Sequence, residues 1–204
     1  MAEAYGRQSP LAHLQLSVRA EERVGSAGIK MTEIPFLEKI VVRGSSDDTA
    51  FLTAVEEVVG AVLPIEPNTV NNSSGIEDLR VIWLGPDEWL VVAREGVIVK
   101  DRLENSIKNL HHTAITDVSE SRTVIQVSGC QAYDVVSKGC AIDLHPRAFG
   151  PGRCAQTMFA KAHVILHQTN VAPVFDIYVH RSFAEYLWFW LEDASAEYGL
   201  KVGK

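Results

Sequence analysis

The order in which hydrophobic period and turn residues alternate along residues 117–191 constrains this chain more than any other feature. The stretch opens Asp117-Val-Ser-Glu-Ser-Arg-Thr-Val-Ile-Gln-Val-Ser-Gly129 and continues Ala132-Tyr-Asp-Val-Val-Ser-Lys-Gly-Cys-Ala-Ile-Asp-Leu-His145. It then runs Phe149-Gly-Pro-Gly-Arg-Cys-Ala-Gln-Thr157 and closes on Arg181-Ser-Phe-Ala-Glu-Tyr-Leu-Trp-Phe-Trp-Leu191. A strand, Thr123–Val127, meets Ser128-Gly129 and a helix carrying Ala132, Val135 and Val136 at helical spacing. Asp143 to Gly152, with two prolines, reads as a loop. A strand pair follows, Ala155–His167 and Pro173–His180. A last helix then opens on Ser182-Phe-Ala-Glu185, the capping-box spacing in which Ser caps and Glu reaches back, and ends near Gly199.

The same order occurs once before. A strand over Leu37–Val42 precedes a helix opened by Ser46-Asp47-Asp48 and lined by Phe51, Val55, Val58 and Val59. Pro64 and Pro67 are placed to end that helix, and Asn68–Gly75 is a polar loop. A hairpin, Leu79–Leu84 and Trp89–Ala93, turns at Gly85-Pro-Asp-Glu88. A helix with Leu103, Ile107 and Leu110 and a strand over Ala114–Val118 complete the pass. Two strand–helix–strand–strand–helix units predict an α+β protein with antiparallel sheets and packed helices. The expected division is an irregular arm over residues 1–31, a first unit over 32–118 and a second over 119–204, the two units tightly joined. Leu11, Leu14, Leu16 and Val18 give the arm apolar anchors, for its own body or for a neighbouring chain.

Composition narrows the classes. The 204 residues are 47% hydrophobic and 22% charged, enough for a sizeable core, and carry a net charge of −7. Without a Lys/Arg cluster to neutralise phosphates, nucleic acid is not an expected partner. Apolar runs such as Leu187-Trp-Phe-Trp-Leu191 fall far short of the roughly 20 residues that span a bilayer. No signal pattern opens the chain, so the expected location is the cytoplasm. Cys130, Cys140 and Cys154 fit neither a disulfide framework nor a zinc spacing and read as buried thiols.

Candidate chemistry is sparse. Gly150-Pro-Gly-Arg-Cys-Ala155 matches G-x-G-x-x-A, but it precedes a strand, whereas a dinucleotide fingerprint opens a helix. His111 and His112 are adjacent and point apart, and His163 and His167 are four apart on a strand, roughly 13 Å. Neither pair suits one metal ion. Asp117-Val-Ser-Glu-Ser-Arg122 is the densest polar cluster; its alternation allows a ligand site, but it reads first as a turn between strands with a local Glu120–Arg122 pair. Lys138-Gly139 reads as a helix end with Gly in the left-handed cap position. On the last helix, Phe183, Tyr186, Leu187, Trp190, Leu191 and Ala194 form one stripe, leaving Trp188 and Phe189 off it. Trp and Phe are common interface anchors, so these two are candidate partner contacts, the other reading being that both complete an edge of the chain's own core.

The long pattern also resembles the gamma subunit of heterotetrameric sarcosine oxidase. So do Ser9-Pro-Leu-Ala-His13, Glu33-Ile-Pro-Phe36, Val42-Arg-Gly44 and Trp83-Leu-Gly-Pro-Asp-Glu-Trp-Leu-Val-Val92, which follow the family's order almost end to end. That family is similar in turn to the folate-binding aminomethyltransferase fold. The resemblance implies an accessory, non-catalytic subunit of a flavin-dependent enzyme that oxidises sarcosine, with alpha, beta and delta subunits as partners. It implies that FAD, FMN, NAD and tetrahydrofolate belong to those other subunits. No catalytic, cofactor-binding or metal residue is assigned here. The candidate partner contacts are Trp188, Phe189, Leu11, Leu14 and Leu16. Two other readings stay open: a stand-alone folate-binding aminomethyltransferase-like protein, and a folate-binding regulator. Lys138-Gly-Cys140 resembles the start of a motif of folate-binding iron–sulfur maintenance proteins, but continues Ala-Ile-Asp-Leu-His145 instead of the diagnostic residues.

Overall fold

The computed structural model describes residues 6–21 and 25–203. In chain order the elements are α1 (Leu16–Arg19), β1 (Ile29–Ile34), β2 (Glu38–Arg43), α2 (Thr49–Val59), β3 (Val70–Asn72), β4 (Arg80–Gly85), β5 (Glu88–Ala93), α3 (Lys100–Ile107) and β6 (Ala114–Asp117). They continue with β7 (Arg122–Ser128), α4 (Ala132–Gly139), β8 (Cys154–Phe159), β9 (Ala162–Asn170), β10 (Val174–His180), α5 (Ala184–Ser195) and β11 (Leu200–Val202).

Strand order carries the internal repeat. One sheet runs β3-β4-β5-β2-β6 and the other β8-β9-β10-β7-β1-β11. Matched in order, β2 corresponds to β7, the β4–β5 hairpin to β9–β10, and β6 to β11. The exception is β1, which inserts between β7 and β11, antiparallel to the first and parallel to the second. Ile29 and Met31 are buried there, so order begins inside the segment expected to be an arm. A boundary at residue 32 cuts this strand, which belongs to the second unit's sheet.

The sheets stack face to face, and each carries helices outside, giving four layers. Leu37, Ile82, Leu90, Val92, Val124, Ile165 and Tyr178 fill the space between the sheets. Phe51 and Val55 of α2 and Leu103 of α3 cover the outer face of one sheet, while Val135 of α4 and Leu187 of α5 cover the other. Strands buried on both faces lose the polar/apolar alternation of a surface strand, as in Trp89–Ala93, where every residue is buried. Trp89 packs on Phe51 with ring centroids 5.8 Å apart, and its indole N–H donates to the Pro64 carbonyl at 2.8 Å. Burying side chains of this size stabilises by roughly 1.5–3 kcal/mol each.

Local rules succeed and fail at identifiable places. Asp48 caps α2 as expected, its carboxylate accepting from the amides of Ala50 at 2.9 Å and Phe51 at 3.2 Å. The helix ends not at the prolines but at Gly60, whose φ of 66° suits glycine. The expected strand Ala155–His167 is two strands, β8 and β9. They join at Ala160-Lys161, a tight turn with no Gly or Pro to mark it. The polar loop Asn68–Gly75 contains β3. Gly139 is the last helical residue of α4 and not a left-handed cap. It is glycine because a Cβ there would lie 2.4 Å from the Phe159 ring.

The last helix differs from its expected orientation. Residues 181–183 form a 3-10 turn, α5 starts at Ala184, and Ser182 makes no capping bond, so the capping box does not form. The buried face is Ala184, Leu187, Trp188, Leu191, Ala194 and Ser195. Phe183 and Tyr186, expected inward, face out. Both faces are apolar at helical spacing, so periodicity alone does not choose between them. The sheet receives the face where small Ala184 and Ser195 flank Trp188.

The N-terminal segment docks on its own chain. Leu11 is 0% exposed in the core beneath α4 and α5, with Leu14 and Leu16 packed partly against it. Ser9 bonds Glu33, Arg19 pairs with Glu192, and His13 lies 3.0 Å from Glu185. These side chains hold the arm across β1 and α5.

Candidate functional site

The most polar part of the interior lies between the two sheets. On one sheet a cross-strand row places Gln126, Asp176 and His167 side by side. From the other sheet Arg80 reaches across, and its Nη1 donates to Asp176 Oδ2 at 2.7 Å. Gln126 Nε2 donates to Asp176 Oδ1 at 2.8 Å. Asp176 is 1% exposed and Arg80 15%, so the pair is shielded from screening water.

Not every group in this cluster is satisfied. Arg80 Nε, His167 Nδ1 and the Tyr178 hydroxyl are buried without a hydrogen-bond partner among the described residues. Burial pushes the His167 ring down to about 3, with the Arg80 charge adding, so the imidazole is neutral. Burial also holds the Tyr178 hydroxyl protonated. Lys39, likewise enclosed, donates its Nζ to the Leu37 carbonyl at 2.6 Å, and burial pushes it down to about 8. Sequence reading passed over all of these except His167, because strand spacing does not show which side chains meet across sheets.

The residues singled out from sequence fall elsewhere. Gly150–Ala155 leads into β8, so its backbone forms no helix N-terminus for a pyrophosphate and does not fit a dinucleotide. Asp117–Arg122 is the turn joining the two sheets. Asp117 is held below the usual carboxylate range by hydrogen bonds from Ser119. The expected Glu120–Arg122 pair is absent: Glu120 bonds Arg181 at 3.0 Å, while Arg122 lies 3.4 Å from His180. Cys140 and Cys154 are buried as expected, the latter thiol pushed up to about 12 by burial, but Cys130 is exposed. Among the described residues no group of three or more His, Cys, Asp or Glu is placed to hold a metal ion.

Of the candidate partner contacts, Trp188 is 0% exposed, enclosed by its own chain, and Leu11 likewise; neither offers surface to a neighbour. Leu14 and Leu16 keep only partial exposure. Phe189 is 48% exposed on the outer face of α5, with Phe183 and Tyr186 packed edge to face beside it. An exposed aromatic group of this kind is unusual on a surface that meets only water.

The family model described as sarcosine oxidase, gamma subunit family, matches residues 43–197. The chain belongs to this family. A sarcosine oxidase subunit gamma from Corynebacterium sp. (strain P-1) is 34% identical over 192 residues, covering 94% of this chain and 91% of that protein. A chain of the heterotetrameric sarcosine oxidase from Corynebacterium sp. U-96 superposes with a TM-score of 0.83 at 32% identity, covering 94% of this chain and 96% of that one. The glycine cleavage system aminomethyltransferase T from Bartonella henselae matches with a TM-score of 0.63 at 14% identity. That match covers 95% of this chain and 51% of the transferase, and it shows a shared fold. Within the gamma subunit family, then, the polar cluster and the aromatic face of α5 belong to a chain whose relatives are named as parts of an oxidase.

Proposed function

We propose that this chain is the accessory, non-catalytic gamma subunit of a heterotetrameric sarcosine oxidase, assembled with alpha, beta and delta subunits in the cytoplasm and serving sarcosine catabolism. In this reading the complex converts sarcosine, oxygen and water to glycine, hydrogen peroxide and formaldehyde, or passes the one-carbon unit to tetrahydrofolate as 5,10-methylenetetrahydrofolate. FAD, FMN, NAD and tetrahydrofolate are held by the other subunits. The single observation that carries it is the end-to-end likeness, in sequence and in backbone, to a chain of a sarcosine oxidase heterotetramer.

The arrangement of side chains supports a scaffolding role. Trp188 and the other large side chains of the inner face of α5 are consumed in its own core, while Phe183, Tyr186 and Phe189 are left on its outside. An aromatic surface beside buried, fully packed neighbours suits a docking face.

Co-expression tests the proposal. A tagged form of this chain should retrieve three partners, and the purified assembly should make peroxide from sarcosine. The chain alone should be colourless and inactive. Peroxide production or a flavin absorption band from the chain alone overturns the reading, as does full activity of an assembly formed without it.

A further inference from the structure

One end of the six-stranded sheet carries a row of basic side chains. Arg122 of β7 pairs directly with His180 of β10, and Met158 of β8 pairs directly with His163 of β9. Val179 opposite Val164 sets His180 beside His163. Arg122, His180, His163 and Met158 are therefore successive cross-strand neighbours, roughly 5 Å apart at Cβ, with side chains on one face. Val124, Tyr178 and Ile165 share their parity and fill the space between the sheets, so the row lies at the mouth of that space.

The row borders a cavity of about 320 Å³ whose lining includes Arg122, Gln156, Met158 and His163. Its described lining holds no Asp or Glu, in a chain with a net charge of −7. Among the described residues Arg122 forms no ion pair, and its Nη2 lies 3.4 Å from His180 Nε2. Glu88, whose charge reaches Arg122 from the other sheet, stands 3.9 Å from Arg43 instead. Burial disfavours the charge on Arg122 and on His180, and the charges of Arg122 and His163 press further on His180. Like charges set opposite one another on a sheet are destabilising, a strain that a bound anion relieves.

Access and donors suit such an ion. Gln156, Met158, His163 and His180 are exposed, so the row is open to solvent. Gln156 Nε2 already donates to the Leu84 carbonyl at 2.8 Å, which leaves recognition to the basic groups. A single negative charge answers Arg122 alone. A divalent oxyanion answers Arg122 and also favours protonation of the imidazoles, which then donate to it.

We propose that this row binds a small divalent oxyanion of the sulfate or inorganic phosphate class, held by Arg122 and His163 with His180 between them. No bond is made or broken, and nothing in the site depends on the subunit assignment.

Sulfate is the probe, because it stays divalent at every pH the protein tolerates. It is titrated into the purified full chain at neutral pH, with sodium chloride adjusted to hold ionic strength constant, and the imidazole NMR shifts are followed. Saturable shifts of His163 and His180 are expected, while exposed His111 and His145 stay in place as internal controls. Acetate, with one charge, should bind at least about tenfold more weakly, and Arg122→Gln should weaken sulfate binding by a similar factor, through loss of charge-assisted hydrogen bonds. Because Arg122→Gln alters the start of β7, Met158→Glu provides a second variant. At 40% exposure and opposite His163, it sets a carboxylate of the chain's own in the row. It should abolish sulfate binding without lowering the melting temperature. The proposal is overturned if the shifts do not saturate, or if His111 and His145 move as far as His163 and His180. It is equally overturned if acetate binds as tightly as sulfate, or if Met158→Glu binds sulfate as the parent does.

Discussion

Arg80 on one sheet and Asp176 on the other bridge the layers at 2.7 Å, an ion pair that joins strands of the two sheets through the interior. The pair sits beside the apolar inter-sheet residues Val92 and Ile82, where an uncompensated charge is costly. Arg80→Met should therefore lower unfolding stability by about 3–5 kcal/mol, because Asp176 would remain buried with only Gln126 to bond it. Adding Asp176→Asn should restore much of the loss, since a neutral side chain still accepts from Gln126. Urea denaturation of the two single variants and the double variant measures this. A double variant as unstable as the sum of its singles would show that charge compensation is not what the pair provides.

Trp188 and Phe189 are adjacent in sequence and opposite in exposure, 0% against 48%. Trp188→Ala should cost about 3–5 kcal/mol of stability, the range for emptying a large buried aromatic site. Phe189→Ala should change the melting temperature little and weaken retention of partner subunits on a tagged chain. Measuring melting and co-purification on both variants separates the effects. If Phe189→Ala retains partners like the parent chain, the outer face of α5 is not the docking surface.

Much of the layering was legible because local signals agreed with the fold. The helix start at Asp48, the β4–β5 hairpin around Pro86-Asp87 and the order of the two units all follow from turn chemistry and period. What escaped were features set by tertiary contact. β1 looked irregular because its partners, β7 and β11, lie some hundred or more residues away in the chain. The β8–β9 turn at Ala160 carries no turn residue, and its left-handed φ of 49° is held by pairing on either side. The face of α5 was misjudged because both candidate stripes are apolar. The Arg80–Asp176–His167 cluster was invisible because its members come from three strands of two sheets.

Leu11 shows how firmly the N-terminal segment is built in. Its side chain is completely enclosed by the second unit, so Leu11→Ala should destabilise by about 2–5 kcal/mol. Val18, 59% exposed on the same segment, is the control; Val18→Ser should stay within roughly 0.5 kcal/mol. Deleting residues 1–24 should then lower the melting temperature of the chain alone, not merely its affinity for partners. A truncated chain that melts with the full-length protein would mean the segment is held chiefly by neighbouring subunits.

His167 makes stability depend on pH in a predictable direction. Its folded value, about 3, lies below the ordinary value of 6.5. Between these two values the unfolded chain binds a proton that the folded chain refuses, so stability falls as pH drops through that window and is fully recovered above 6.5. The slope from one such group approaches about 1.4 kcal/mol per pH unit. His167→Leu removes the titrating group while keeping an apolar side chain of similar bulk. Denaturation midpoints across the window should converge, the variant gaining on the parent as pH falls toward about 4. Carboxylates that titrate in the same range are common to both proteins and cancel in the difference. Parallel pH profiles for the two would mean that the imidazole is protonated in the folded protein, and that the interior beside Arg80 is wetter and more accommodating to charge than its burial implies.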